Sequence, residues 1–257
     1  MSNGTGKKIL LLAIFLGLMI GLGVWITKFN PESGSLSSAV QKPQPAPKLD
    51  TLKLEGQWPQ IVTHAAAPAR GRAAARYTIA EFGDFECPQC GKVRPILETL
   101  LQKYPNEVNL LFIHRPFPRL HQWAISAGRA SEIAAAQGRF WPMYDQLYGH
   151  QDNLEPGYYS EYAAQAGLDK TRFQKAFDTG GGAEKVKAAS EFSDLVGVQE
   201  TPTLLLRDNR KNIVTIYLGI IGTKNADGTL QYPGINELVA KPPWTQAAVA
   251  SLPPSPR

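Results

Sequence analysis

Cys87 and Cys90 are the only cysteines in the chain, and just Pro88 and Gln89 separate them. Two thiols at this spacing can exchange a disulfide with another molecule or hold a soft metal. A disulfide across two residues closes almost no loop, so it constrains the unfolded chain very little. Its value lies in being made and broken. Structural zinc needs about four ligands. No second Cys-x-x-Cys accompanies this pair, and His64, His114, His121 and His150 show no i, i+4 spacing. Copper(I) held by two thiolates keeps a non-enzymatic metal-binding module as the competing reading. Redox exchange is the favoured one, with no metal and no cofactor required.

The flanking residues position the pair. Tyr77–Phe82 is a short, mostly apolar, β-prone run, as expected of a strand buried on both faces. Gly83 and Asp84 break it. Pro88 suits the first turn of a helix, where its missing N–H is not needed. Beyond it, Val93, Ile96, Leu97, Leu100 and Leu101 fall on one helical face. Cys87 is therefore expected at a helix N-terminus, where unpaired N–H groups and the helix dipole favour a thiolate. Cys90, one turn further in, is expected to be more buried. That asymmetry gives an exposed attacking thiol and a covered resolving thiol. Glu86, beside Cys87, adds a negative charge expected to raise the Cys87 pKa. Gln89 supplies no positive charge.

The run Glu81-Phe82-Gly83-Asp84-Phe85-Glu86-Cys87-Pro88-Gln89-Cys90 resembles the active-site strand and turn of the thioredoxin superfamily, and within it of the DsbA-like thiol–disulfide oxidoreductases. Other segments strengthen the resemblance. Glu81 lies six residues before Cys87, where the superfamily carries a buried carboxylate. Pro95 lies where thioredoxins kink the active-site helix. Thr201-Pro202-Thr203 precedes the apolar run Leu204–Leu206, as the family's cis-proline precedes its next strand. The stretch from His114-Arg115-Pro116-Phe117-Pro118 to Gly138-Arg139-Phe140-Trp141 is also similar, and the whole resemblance spans about residues 75–220. It implies an α/β thioredoxin fold, Cys87 as attacking thiol, Cys90 as resolving thiol, and Glu81 as a buried proton acceptor. Thr201 and Pro202 would dock substrate backbone, while Pro88, Gln89 and Glu86 would tune the redox couple. The partners implied are client proteins with cysteines and a redox partner that recharges the pair.

Elsewhere, Asn109–Ile113 reads as a second parallel strand. Cys90 and Pro202 are 112 positions apart, far more than a bare thioredoxin needs. Helices are expected at Gln122–Gln137, Trp141–Tyr148, Ser160–Ala166, Lys170–Phe177 (capped by Asp169) and Glu184–Leu195, which suggests a helical insertion over about 120–197. Thr203–Leu206 and Ile213–Leu218 read as an antiparallel hairpin, and Gly234–Ala240 as a closing helix. The domain therefore occupies 51–241, ahead of a Pro-rich tail at 242–257, and the ambiguous stretch 51–76, with Ala65-Ala66-Ala67-Pro68 and Ala73-Ala74-Ala75, reads as irregular approach chain or a short helix. Phe85 and Trp141 are expected in the core.

Residues 9–27 form an uncharged apolar run, just long enough to span a bilayer, after Lys7 and Lys8. Residues 1–28 are read as a cytoplasmic stub and uncleaved transmembrane anchor, and the Ser- and Pro-rich stretch 29–50 as a tether. The expectation is a single-pass protein of the cytoplasmic membrane with its domain outside, in an oxidising compartment such as the periplasm. The formal charge of +5 is spread out, with no interleaved aromatic stripe, so nucleic acid is not an expected partner.

Overall fold

A computed structural model describes residues 49–67, 69–220, 222–224 and 230–243. Strand β2 (Tyr77–Gly83) is buried along its whole length, and so is β3 (Val108–His114), as apolar runs without alternation predict. They pair in parallel, with Ile79 opposite Leu110 and Glu81 opposite Phe112. Strand β4 (Thr203–Asp208) runs antiparallel to β2, and β5 (Ile213–Leu218) antiparallel to β4. A two-residue β1 (Arg70–Gly71) flanks β3, giving the order β1-β3-β2-β4-β5.

The two faces of this sheet are covered by different helices, because successive side chains of a strand point to opposite sides. Ala80, Phe82, Leu111, Ile113, Leu205 and Ile216 pack against helices α1 (Thr51–Gly56), α2 (Trp58–Thr63) and α8 (Ala183–Leu195). Tyr77, Ile79, Leu110, Leu204 and Leu206 pack against α3 (Pro88–Lys103) and α9 (Ile235–Ala240). Each fully buried Leu, Ile or Phe contributes roughly 1.5–3 kcal/mol from apolar area alone. The ambiguous stretch 51–76 thus supplies α1, α2 and β1. Asp50 starts α1 by accepting the N–H groups of Leu52 and Lys53.

Between β3 and β4 lie α4 (Ala124–Ala135), α5 (Phe140–Gly149), α6 (Tyr159–Gln165), α7 (Lys170–Asp178) and α8. Helices α4 to α7 build their own core from Ala127, Ile133, Met143, Leu147, Tyr162 and Phe173, which is continuous with Phe85, Cys87, Cys90 and Phe112. Helix α8 returns to the sheet through Ala189 and Phe192. Asp169 caps α7 as expected, accepting from the Arg172 N–H. The buried His114–Glu132 contact at 3.0 Å ties β3 to α4. Arg70 from β1 and Arg94 from α3 both reach Asp145 of α5, at 3.1 and 3.2 Å.

The outer rim of β5 is partly occupied. The amide of Val214 donates to the Glu55 carboxylate at 3.0 Å, and that of Leu218 to the Pro233 carbonyl at 2.8 Å. A small hairpin of β6 (Thr223–Lys224) and β7 (Leu230–Tyr232), absent from the sequence expectation, leads into α9. The architecture is a thioredoxin-like α/β fold with inserted helices. Among the described residues no helix is long and apolar enough to cross a membrane. The expected span at 9–27 lies outside the described residues, as do most of the tether and the tail beyond 243.

Candidate active site

Cys87 is the N-cap of α3, and Pro88 and Gln89, both exposed, form its first turn. The helix starts here because Pro88 needs no N–H partner and the Cys87 carbonyl accepts the Gly91 amide. The thiols of Cys87 and Cys90 are both free. The expected contrast in exposure needs correcting: Cys87 is only 6% exposed and Cys90 is 0% exposed. The inserted helices pack over the pair, which a bare strand–turn–helix reading could not show.

The asymmetry lies in proton affinity instead. The Cys87 pKa is lowered to about 6, first by a hydrogen bond from Cys90, against the opposing effect of burial. The Thr201 side chain and the amides of Cys90 and Gln89 also favour the thiolate. Cys90 is pushed well above the ordinary thiol value, mainly by burial and then by its bond to Cys87. Glu86 is not among the principal influences on Cys87. Its carboxylate accepts the Trp123 N–H at the start of α4.

The Thr201–Pro202 bond is cis, and the Cys87 thiol donates to the Thr201 carbonyl at 3.5 Å. The loop is held from behind, since Thr203 Oγ1 donates to the Glu200 carbonyl and the Gly219 amide to that of Pro202. Thr201 is half-exposed beside the cysteines. Glu81 sits on the α3 face of β2 and is fully buried. Burial pushes its pKa up to about 8, although a hydrogen bond from Tyr144 opposes the shift. The fold therefore brings Cys87, Cys90, Glu81, Thr201 and Pro202 to one end of the sheet.

Three further contacts brace this end and were missing from the sequence reading. Asp84 accepts the amides of Glu86 and Phe117 and contacts His121 Nδ1 at 2.8 Å. Gln151 donates to the carbonyls of Phe85 and Cys87 at 2.7 and 2.9 Å. Tyr144 donates to Glu81. Only Asp84 had a local signal, an acidic residue in the turn before the motif. Gln151 and Tyr144 reach the site through tertiary packing alone. Phe85 is core, as expected, and Trp141, on α5, is half-buried and packs against both the helical core and the core beneath α3. A cavity of about 1000 Å³, lined by Arg72, Arg76, Glu107 and Asn209, lies at the other end of β2 and β3 and does not include the cysteines. Among the described residues no three His, Cys, Asp or Glu side chains gather as a metal-ligand cluster.

A low-pKa thiol at a helix N-terminus, a buried second thiol and a facing cis-proline define a dithiol site of the thioredoxin class. A family model described as Thioredoxin matches residues 63–214, more than half of the chain. The chain belongs to this family, and it is similar to solved structures of DsbA-like proteins. The crystal structure of Pseudomonas aeruginosa DsbA2 is 26% identical, with a TM-score of 0.50, over 59% of this chain and 85% of that one. Oxidised BdbD from Bacillus subtilis shares the fold at 23% identity and a TM-score of 0.51, over 56% and 83% of the two chains. Among curated proteins, the Na(+)/H(+) antiporter NhaA 3 of Salinispora tropica is 38% identical over 141 residues. That match covers 55% of this chain and 22% of the antiporter, so the chain spans about a fifth of that relative's length.

Proposed function

We propose that the protein forms disulfides in client proteins through Cys87 and Cys90. The observation that carries this reading is the placement of Cys87 at the start of α3 beside Cys90 and the cis-proline loop, an environment that lowers its pKa to about 6. A stabilised thiolate stabilises the reduced enzyme, which makes the Cys87–Cys90 disulfide the more oxidising partner. A client thiolate attacks Cys87 Sγ, the Cys87–Cys90 bond breaks, and Cys90 leaves as a thiolate that takes up a proton. A second client thiolate then attacks the client sulfur of the mixed disulfide. The client gains its disulfide, and the enzyme is left as the dithiol. A separate disulfide or quinone oxidant must restore the pair. Thr201, half-exposed beside Cys87, offers backbone to an extended client segment.

A second reading, reductase or isomerase, draws on Gln89. Without a cation at this position Cys87 stays well above the most acidic active-site thiols, at roughly 3.5. In that direction the Cys87 thiolate attacks a client disulfide and Cys90 resolves the mixed disulfide. Equilibration of the pair against glutathione separates the two readings. A potential near roughly −120 mV supports the oxidase, and one near roughly −270 mV the reductase. In either direction Cys90→Ser is expected to trap mixed disulfides through Cys87, and Cys87→Ser to trap none. Trapping through Cys90 alone overturns the assignment of the attacking thiol.

We also propose that the domain works outside the cytoplasmic membrane, anchored by residues 9–27. The uncharged run behind Lys7 and Lys8 and the absence of any cysteine outside the pair support this reading.

A further inference from the structure

Glu81 is a carboxylate sealed beside the cysteines, and its surroundings are unequal at its two oxygens. Its neighbours across the sheet, Phe112 on β3 and Leu204 on β4, are apolar. The titratable groups that face it are Cys87 and Cys90 at the start of α3, and Tyr144 and Tyr148 on α5. Oε2 accepts the Tyr144 hydroxyl at 2.9 Å, while Oε1 is buried without a hydrogen-bond partner. Tyr148 turns elsewhere, donating to the Asp84 carbonyl at 3.4 Å. Tyr144 cannot easily leave. It is 1% exposed, with the rings of Phe112, Phe85 and Tyr148 at 5.4, 5.9 and 4.7 Å.

We propose that Tyr144 is a positioning residue for the Cys90 step, holding one oxygen of Glu81 so that the other is the open acceptor for the Cys90 proton. This rests on reading Glu81 as that acceptor. When Cys90 resolves a mixed disulfide, its proton passes to Glu81 and its thiolate attacks Cys87 Sγ. The Cys87–Cys90 bond forms, and the client sulfur leaves with the electron pair as a thiolate. In the reverse direction Cys90 leaves Cys87 as a thiolate and takes its proton back from Glu81. A buried carboxylate with no donor holds its proton to high pH. The Tyr144 hydroxyl favours the ionised form and brings Glu81 back towards neutrality, where it can both accept and donate. The inserted helices thereby tune a group that the central sheet carries.

The test is a single-turnover measurement between pH 5 and pH 10. A mixed disulfide is formed between Cys87 and glutathione, and release of glutathione by Cys90 is followed. Glu81→Gln should flatten the pH dependence around neutrality. Tyr144→Phe should keep a sigmoidal dependence and move its midpoint up by about one pH unit, the effect of losing a hydrogen bond to a charged group. 3-Fluorotyrosine at position 144 keeps size and hydroxyl but is a stronger donor, and should move the midpoint down. A flattened profile in Glu81→Gln with an unmoved midpoint in both Tyr144 variants overturns the role of Tyr144 and leaves that of Glu81. An unchanged profile in Glu81→Gln overturns both. If Tyr144→Phe does not fold, the fluorotyrosine protein alone decides, because an unmoved midpoint there also overturns the proposal.

Discussion

Cys87 is acidic chiefly because of one neighbour, the thiol of Cys90, and only then because of the Thr201 side chain and the first amides of α3. The order of these causes can be tested. In the dithiol form, alkylation of Cys87 by iodoacetamide should follow a titration centred at about 6, slow below it and fast above it, since only the thiolate reacts. Cys90→Ala removes the donor, destabilises the thiolate and should move the midpoint up by about one pH unit or more. Cys90→Ser keeps a hydroxyl donor and should move it less. An unmoved midpoint in Cys90→Ala assigns the acidity to the helix amides instead. At this scale the site was largely legible in the sequence. Cys87, Cys90, Glu81 and Pro202 sit at fixed offsets within two short motifs. The Glu86 side chain accepts the Trp123 amide, a partner that adjacency along the chain could not show.

The strands and longer helices were legible for a different reason. A strand covered on both faces must be apolar throughout, and β2 and β3 are. The helices between Gln122 and Leu195 carry strong periodicity or a cap, as at Asp169. Helices α1 and α2 were not legible, since six residues each are too few for a period to emerge, and what orders them is burial of Leu54, Trp58 and Ile61. Gly182 closes the run Gly180-Gly181-Gly182 ahead of α8. It caps α8 with φ at 79°, and a Cβ there would lie 2.7 Å from the Arg129 carbonyl oxygen. Gly182→Ala combines a left-handed backbone with a clash against main chain, and should cost about 2–3 kcal/mol. That corresponds to a fall in Tm of roughly 5–10 °C for a domain of this size. Gly138, with φ at 69° and nothing within 4 Å of a Cβ, is the control, and its alanine variant should cost about 1 kcal/mol. Equal melting temperatures for the two variants would remove the steric argument at the start of α8.

For the whole molecule, the proposed anchoring makes a fractionation result predictable. Full-length protein should stay with membranes through a carbonate wash, and its domain should be cut by protease added on the extracytoplasmic side. Release by carbonate, or protection of the domain, counts against the proposal. The sheet carries a further consequence at this scale. An extended segment of another chain can nucleate an aggregate on any bare sheet rim. On β5 the amides of Val214 and Leu218 are already engaged by Glu55 and Pro233 of the same chain. The β5 rim is therefore closed at both ends to an added strand, by contacts that the chain makes with itself.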